Sequence, residues 1–188
     1  MSSVGFQVSF KALFLDRDGV INVDYGYVHK ISDFKFKEGI FSLARKAIEG
    51  GYYIFVVTNQ AGIGRGYYTE NDFFKVSDWM CKRFLEHGAP ISKVYFAPTH
   101  PVKGLGMYKV TDNRRKPNPG MILEAMRDFD IDVQNSVLIG DKATDILAGL
   151  AAGVGCNIFL GKNHGLSDET DTVRTISSLS QAEQYIKT

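Results

Sequence analysis

Short apolar runs alternate along the chain with longer segments whose apolar residues recur every three or four positions. Residues 10–15 form an apolar run broken only by Lys11 and ending abruptly in charge, which predicts a buried strand. From Gly39 to Gly50, Ile40, Leu43, Ala44, Ala47 and Ile48 share one face of a helix that the Gly50-Gly51 pair terminates. Residues 53–57 are apolar throughout, as expected of a strand covered on both faces. Thr69 and Asp72 read as a capping box opening a helix that runs to about His87, with Phe73, Val76, Met80 and Phe84 on one side. Further strands are predicted at 93–97, 136–139 and 157–160, and helices at 119–129, 144–152 and, in the tail, 179–186. The polar, glycine-containing stretch 98–116 is too long to be a plain connector.

Strands alternating with helices predict an α/β fold: a Rossmann-like three-layer sandwich around a central parallel sheet. No repeat, low-complexity segment or linker interrupts the 188 residues, so a single domain over 1–188 is expected. Only short segments separate the first strand from the first helix and the second strand from the long helix. There is no room there for a large cap domain.

Composition narrows the function. The apolar fraction of 44% and charged fraction of 23% are those of an ordinary globular chain. A net charge of +1 lacks the basic excess that nucleic-acid binding draws on. The longest uncharged stretch, 146–161, contains four glycines and Asn157, and so cannot be a transmembrane helix. Residues 1–7 lack the basic start and apolar run of a secretory signal, which gives an expectation of a cytoplasmic protein without membrane or nucleic-acid partners. Cys81 and Cys156, far apart and in apolar contexts, read as buried free thiols rather than a disulfide or a metal site.

In a doubly wound sheet, ligands bind beyond the carboxyl ends of the strands. The predicted strand ends carry Asp16-Arg17-Asp18-Gly19, then Thr58-Asn59-Gln60-Ala61-Gly62, then Gly140-Asp141-Lys142-Ala143-Thr144-Asp145, while Arg115-Lys116 precedes a helix. Each has an ordinary reading: Asp-x-Asp-Gly as a turn, Thr58-Asn59 as a cap, Arg115-Lys116 as a solvated pair, Gly140-Asp141 as a strand exit. Their joint occurrence on one rim outweighs those readings. Asp16, Asp18 and Asp141 crowded together call for a cation, and oxygen ligands without His or Cys suit Mg²⁺ beside a phosphate. A carboxylate beside a metal-bound phosphate can attack phosphorus, and a second carboxylate on the same loop can move protons. Thr58 and Lys116 can hold the remaining phosphoryl oxygens.

These residues resemble the haloacid dehalogenase superfamily of phosphotransferases over essentially the whole chain. Its first motif matches Asp16-Arg17-Asp18-Gly19, its second Thr58, its third Lys116, and its acidic fourth Gly140-Asp141 with Asp145. The runs 16–22, 24–28, 58–66 and 115–121 are similar to one subfamily. Its activities include removal of the C7 phosphate of D-glycero-D-manno-heptose 1,7-bisphosphate, in the making of activated heptose for bacterial surface polysaccharide, and hydrolysis of histidinol phosphate. The stretch Asp24-Tyr25-Gly26-Tyr27 and the small loops favour the heptose activity. The resemblance implies Asp16 as nucleophile and Asp18 as general acid and base. It implies Mg²⁺ held by Asp16, the Asp18 backbone carbonyl and Asp141. It also implies substrate contacts from Asp24, Tyr25, Gly26, Tyr27, Thr58, Asn59, Gln60, Ala61, Arg115 and Lys116. Lys142 would sit beside metal and phosphate, Asp145 would support from behind, and the protein would be a monomer.

One departure from the resemblance is plain. Many relatives carry a structural zinc in the loop before Arg115, through a Cys-x-His then Cys-x-Cys pattern. The matching positions here are Ala97, Thr99, Asp112 and Arg114, and lone His100 is no substitute, so no zinc is expected. His29 is near the expected substrate loop but reads as a solvent-facing residue, His87 as a helix-end cation, His164 as a loop residue, and Trp79 as core. A histidinol-phosphate phosphatase shares the catalytic motifs. A nucleic-acid 3′-phosphatase is disfavoured by the charge. A phosphosugar-binding regulator or receiver-like module would not need Asp18 as well as Asp16.

Overall fold

The computed structural model describes residues 9–162 and 171–187. Residues 1–7 and His164 lie outside them. Six strands form one sheet: β1 (Lys11–Leu15), β2 (Tyr52–Asn59), β3 (Ile91–Ala97), β4 (Val137–Gly140), β5 (Cys156–Leu160) and β6 (Val173–Ile176). Their order is β3-β2-β1-β4-β5-β6, and every pairing is parallel. Five α-helices accompany them: α1 (Ile40–Glu49), α2 (Ala61–Gly64), α3 (Glu70–Glu86), α4 (Gly120–Phe129) and α5 (Ala143–Ala152).

Alternation along β1 divides the core. Leu13 and Leu15 face α1, α3 and the C-terminal segment, meeting Leu43, Val76, Met80 and Leu179. Ala12 and Phe14 face α4 and α5, meeting Met121, Ile122, Ala125 and Ile146. Both faces are therefore covered, which is why the central strands are apolar at every position rather than at every second one. No large cap domain is inserted, since 16–39 contains only a 3₁₀ turn (Ile31–Asp33) and 60–69 only α2. None of the described helices is long and apolar enough to cross a membrane.

The topology also fixes where the site must be. Strand order reverses between β1 and β4, and at that switch point the segments leaving the two strands diverge and open a crevice. Asp16 follows β1 and Asp141 follows β4.

Several elements differ from the sequence expectation. Strand β6 is additional, four residues with Arg174 and Thr175 reaching toward solvent, too short and too polar to stand out. The tail Leu179–Tyr185 is a 3₁₀ helix, not an α-helix: Leu179, Ala182 and Tyr185 recur at three, the period of the tighter helix. Cys81 and Cys156 are unpaired as expected, but they are half-buried rather than buried. The capping box at Thr69 is present, with Thr69 Oγ1 accepting from Asp72 N and the Asp72 carboxylate accepting from Thr69 N.

Candidate active site at the carboxyl end of the sheet

A cleft of about 400 Å³ opens above β1, β2 and β4. Asp16, Asp18, Thr58, Lys116 and Asp145 line its inner part, and Asp24, Gly26, Tyr27, Asn59, Gln60, Ala61, Arg115 and Lys142 are among the residues of its wall. Tyr25 is 63% exposed and outside that lining, although its loop neighbours are part of it.

At the floor, Asp16 is held by one oxygen. Its Oδ1 accepts from the Arg17 backbone N–H at 2.8 Å and pairs with Lys116 Nζ at 2.9 Å. Among the described residues nothing bonds Oδ2, leaving that oxygen available to the cleft. Burial raises the Asp16 pKa above the ordinary value, with Lys116 acting in the opposite direction. Lys116 is itself buried; its Nζ donates to the Val57 carbonyl at 2.7 Å and is ion-paired with Asp16 Oδ1 at 2.9 Å and Asp145 Oδ1 at 2.6 Å. Burial works against its charge, yet Asp145 and Asp16 more than compensate and raise its pKa. A reciprocal pair fixes its backbone, as Lys116 N donates to Asn59 Oδ1 and Asn59 Nδ2 donates to the Lys116 carbonyl, both at 3.0 Å.

Asp18 is turned toward a different set of partners. The buried Arg17 guanidinium grips its carboxylate through Nε and Nη2, at 2.8 to 3.1 Å. Asn22 Nδ2 and Gln60 Nε2 each donate to it at 3.0 Å. Gln60 also donates to Thr58 Oγ1 at 2.8 Å and accepts from the buried Tyr68 hydroxyl. Two glycines let the floor close up. A Cβ on Gly19, whose φ is +95°, would lie 2.0 Å from Asp141 Oδ2, and one on Gly140 would lie 2.1 Å from the Asp145 Cβ.

The acidic cluster fits a hard cation. Asp16, Asp141 and Asp145 bring carboxylate oxygens within 4.8 Å of one another. Asp145 is committed to Lys116 and caps α5 by accepting from Lys142 N at 2.9 Å, so Asp16 and Asp141 have the freer oxygens. Asp141 Oδ1 is buried without a hydrogen-bond partner, and Lys142 Nζ is 3.9 Å away. Burial, and next the neighbouring Asp16 charge, push the Asp141 pKa up to about 7. A divalent ion at this point would remove that repulsion and supply the missing partner. The Asp18 side chain is not part of that cluster.

On the opposite wall, Lys142 Nζ reaches Asp24 Oδ2 at 3.1 Å, and Asp24 Oδ1 accepts from Gly26 N at 2.9 Å. Burial opposes ionisation of Asp24, but the Gly26 N–H and Lys142 prevail and lower its pKa. His29 is half-buried, its ring stacked on Tyr68 and its Nδ1 at 2.7 Å from the Tyr27 carbonyl. The loop that carries Arg115 is tied by Asp112, whose Oδ2 accepts from Thr99 Oγ1 at 2.9 Å and whose Oδ1 accepts from Arg114 N at 2.8 Å. Ala97 ends β3 in the core and Arg114 pairs with Glu124 at 3.1 Å, so the four positions compared with zinc ligands are engaged in packing or hydrogen bonds.

Sequence reasoning left out Arg17, Gly62, Arg65, Tyr68 and Thr144, all of which hold or line the cleft. Arg17 could have been suspected from its place between two aspartates. Nothing in the sequence separates Arg65 from a surface arginine.

The chain matches the HAD-hydrolase-like family model over residues 113–174. It is 61% identical over 150 residues to the D-glycero-alpha-D-manno-heptose-1,7-bisphosphate 7-phosphatase of Burkholderia mallei, covering 80% of this chain and 79% of that one. Against the D-glycero-beta-D-manno-heptose-1,7-bisphosphate 7-phosphatase of Vibrio cholerae the identity is 43%, covering 88% and 89%. The crystal structure of D,D-heptose 1,7-bisphosphate phosphatase from B. bronchiseptica, complexed with magnesium and phosphate, superposes with a TM-score of 0.79 at 23% identity, covering 93% and 96%.

Proposed function

The chain belongs to the haloacid dehalogenase-like phosphatases, in the branch of the heptose 1,7-bisphosphate 7-phosphatases, and on that premise we propose that it hydrolyses the C7 phosphate of D-glycero-D-manno-heptose 1,7-bisphosphate. The alpha anomer is the preferred substrate in this reading, because the relative at 61% identity is named for it and the relative at 43% for the beta anomer. The observation that carries the chemistry is the floor geometry. One Asp16 oxygen is locked to Lys116 and the Arg17 amide while the other has no partner among the described residues, on a cleft lined by a second carboxylate two residues on.

Mg²⁺ is the cofactor this donor set suits, with Asp16, Asp141 and the Asp18 carbonyl to hold it; when bound, it neutralises phosphoryl charge and the repulsion between the carboxylates. Asp16 Oδ2 attacks phosphorus, the bond from phosphorus to the C7 oxygen breaks, and the sugar oxygen takes a proton from Asp18. Water then attacks the aspartyl-phosphate, gives a proton back to Asp18, and restores the Asp16 carboxylate as inorganic phosphate leaves. To donate its proton, Asp18 must release part of the grip of Arg17 and Gln60. Thr58 and Lys116 steady the phosphoryl oxygens, and Lys116 is held for that task by Asp145 and the Val57 carbonyl. The open, cap-free cleft accords with a small sugar bisphosphate. A monomeric, cytoplasmic enzyme completes the proposal.

The test is phosphate release with Mg²⁺ from both anomers of the heptose bisphosphate and from histidinol phosphate. A kcat/KM advantage of about a hundredfold for the alpha bisphosphate over histidinol phosphate is expected, roughly 2.7 kcal/mol of transition-state discrimination. Equal rates on all three would overturn the substrate assignment.

A further inference from the structure

We infer that Arg65 is a specificity-determining residue: together with Arg115 it forms a two-arginine clamp at the cleft mouth for the second phosphate of the substrate. The inference deepens the bisphosphate reading above and rests on it. Of the cations around the cleft, Arg17 is engaged by Asp18, Lys116 by Asp16 and Asp145, and Lys142 by Asp24. Arg65 and Arg115 also line the cleft, and among the described residues neither forms an ion pair. Arg115 donates to a neutral acceptor, the Thr99 carbonyl, at 3.1 Å. Arg65 donates through Nη1 to the Tyr27 hydroxyl and lies over the Tyr27 ring, 5.7 Å from its centroid. Its Nε is buried with no hydrogen-bond partner.

The two arginines are positioned by a common element. Arg65 caps α2, where Gly64 N donates to the Pro98 carbonyl at 3.1 Å and Leu105 N donates to the Gly64 carbonyl at 2.7 Å. A Cβ on Gly64 would lie 2.4 Å from the Pro98 oxygen, so the helix and the 98–116 loop are in direct backbone contact. Arg115 holds the next carbonyl along, that of Thr99. Backbone contact thus joins the stem of Arg65 to the segment whose Thr99 carbonyl holds the Arg115 guanidinium. Burial and then the positive charge of Arg65 lower the Arg115 pKa, with the Asp112 carboxylate acting in the opposite direction, so the two guanidinium charges are close enough to repel. Planar guanidinium groups match a phosphate through paired N–H donors, and a dianion would satisfy both charges and the unpartnered Nε. A monophosphate held at Asp16 would leave the mouth uncompensated, whereas a bisphosphate fills both ends.

The experiment measures kcat/KM for D-glycero-D-manno-heptose 1,7-bisphosphate and for D-glycero-D-manno-heptose 7-phosphate in the full chain and in Arg65→Gln and Arg65→Lys. The readout is the ratio of the two constants. Loss of a charge-assisted phosphate contact should lower that ratio about 10- to 100-fold in Arg65→Gln, through KM for the bisphosphate. Arg65→Lys retains a point charge without the planar fork and should fall about 3- to 10-fold, which keeps the test open if the glutamine variant does not fold. A parent protein that prefers the bisphosphate, with a ratio unchanged in the variants or both substrates lost equally, overturns the role of Arg65 alone. A parent protein with no preference for the bisphosphate overturns the substrate reading as well.

Discussion

Titration of the cation site gives a sharp test, because the proton and Mg²⁺ compete for the same oxygens. Asp141 has its pKa pushed up to about 7, first by burial and then by the charge of Asp16. A carboxyl with that pKa is about 3% ionised at pH 5.5 and about 90% ionised at pH 8, so the apparent Mg²⁺ affinity should rise roughly 30-fold between them, ~2 kcal/mol. Asp16 is also raised, which steepens the gradient on the acid side. The metal-free protein should show the complementary trend. A carboxyl whose pKa is higher folded than unfolded contributes stability that is complete below the unfolded value and lost as pH climbs through the folded one. The apo form therefore weakens from about pH 4 to pH 8, and Mg²⁺ should add most to the melting temperature at the alkaline end. Calorimetric titration of Mg²⁺ at pH 5.5, 6.5, 7.5 and 8, with melting curves beside it, reads both trends. Asp141→Asn removes the titrating ligand and should flatten the pH dependence along with weakening the binding. A Mg²⁺ dissociation constant that stays level across this range in the parent protein would refute the reasoning, since it would mean that Asp141 is ionised throughout.

Other perturbations follow from the same contacts. Asp16→Asn should abolish turnover with little change in melting temperature, and Asp18→Asn should slow turnover by about 10²- to 10⁴-fold; near-parental activity in Asp16→Asn would end the covalent mechanism. Lys116→Met strands Asp16 and Asp145 as buried carboxylates and should cost about 3–5 kcal/mol in urea unfolding at neutral pH, with part of the loss recovered on acidification as they protonate. Gly19→Ala forces a left-handed φ on alanine and drives a methyl into the Asp141 carboxylate, so Mg²⁺ affinity should fall tenfold or more, read by the same calorimetry. Asp112→Ala removes acceptors from Thr99 and Arg114 and loosens the loop that presents Arg115; KM for the bisphosphate should rise several-fold with kcat nearly constant, which steady-state assays separate.

How far the sequence could be read depends on the range over which each feature is decided. Strands β1, β2 and β4 were legible because burial on both faces demands an unbroken apolar run, and the polar residues where each run stops mark the cleft. Helix α2 was not, because what requires Gly62 and Gly64 lies elsewhere in the chain: the rings of Tyr27 and Tyr68, and the carbonyl of Pro98. The C-terminal segment displays three-residue spacing, but over seven residues that period barely separates from an α-helical one. The site divides in the same way. Asp16, Asp18 and Asp141 were accessible from local context, a carboxylate directly after a buried strand. Arginines carry no such mark. Arg17 and Arg65 are the same residue type beside glycine-rich turns, yet one is fully buried in the grip of Asp18 while the other stands half-buried at the mouth against a tyrosine hydroxyl. Which positive charges are already neutralised is a property of pairing across the fold, and it is that pairing which leaves two of them for a second phosphate.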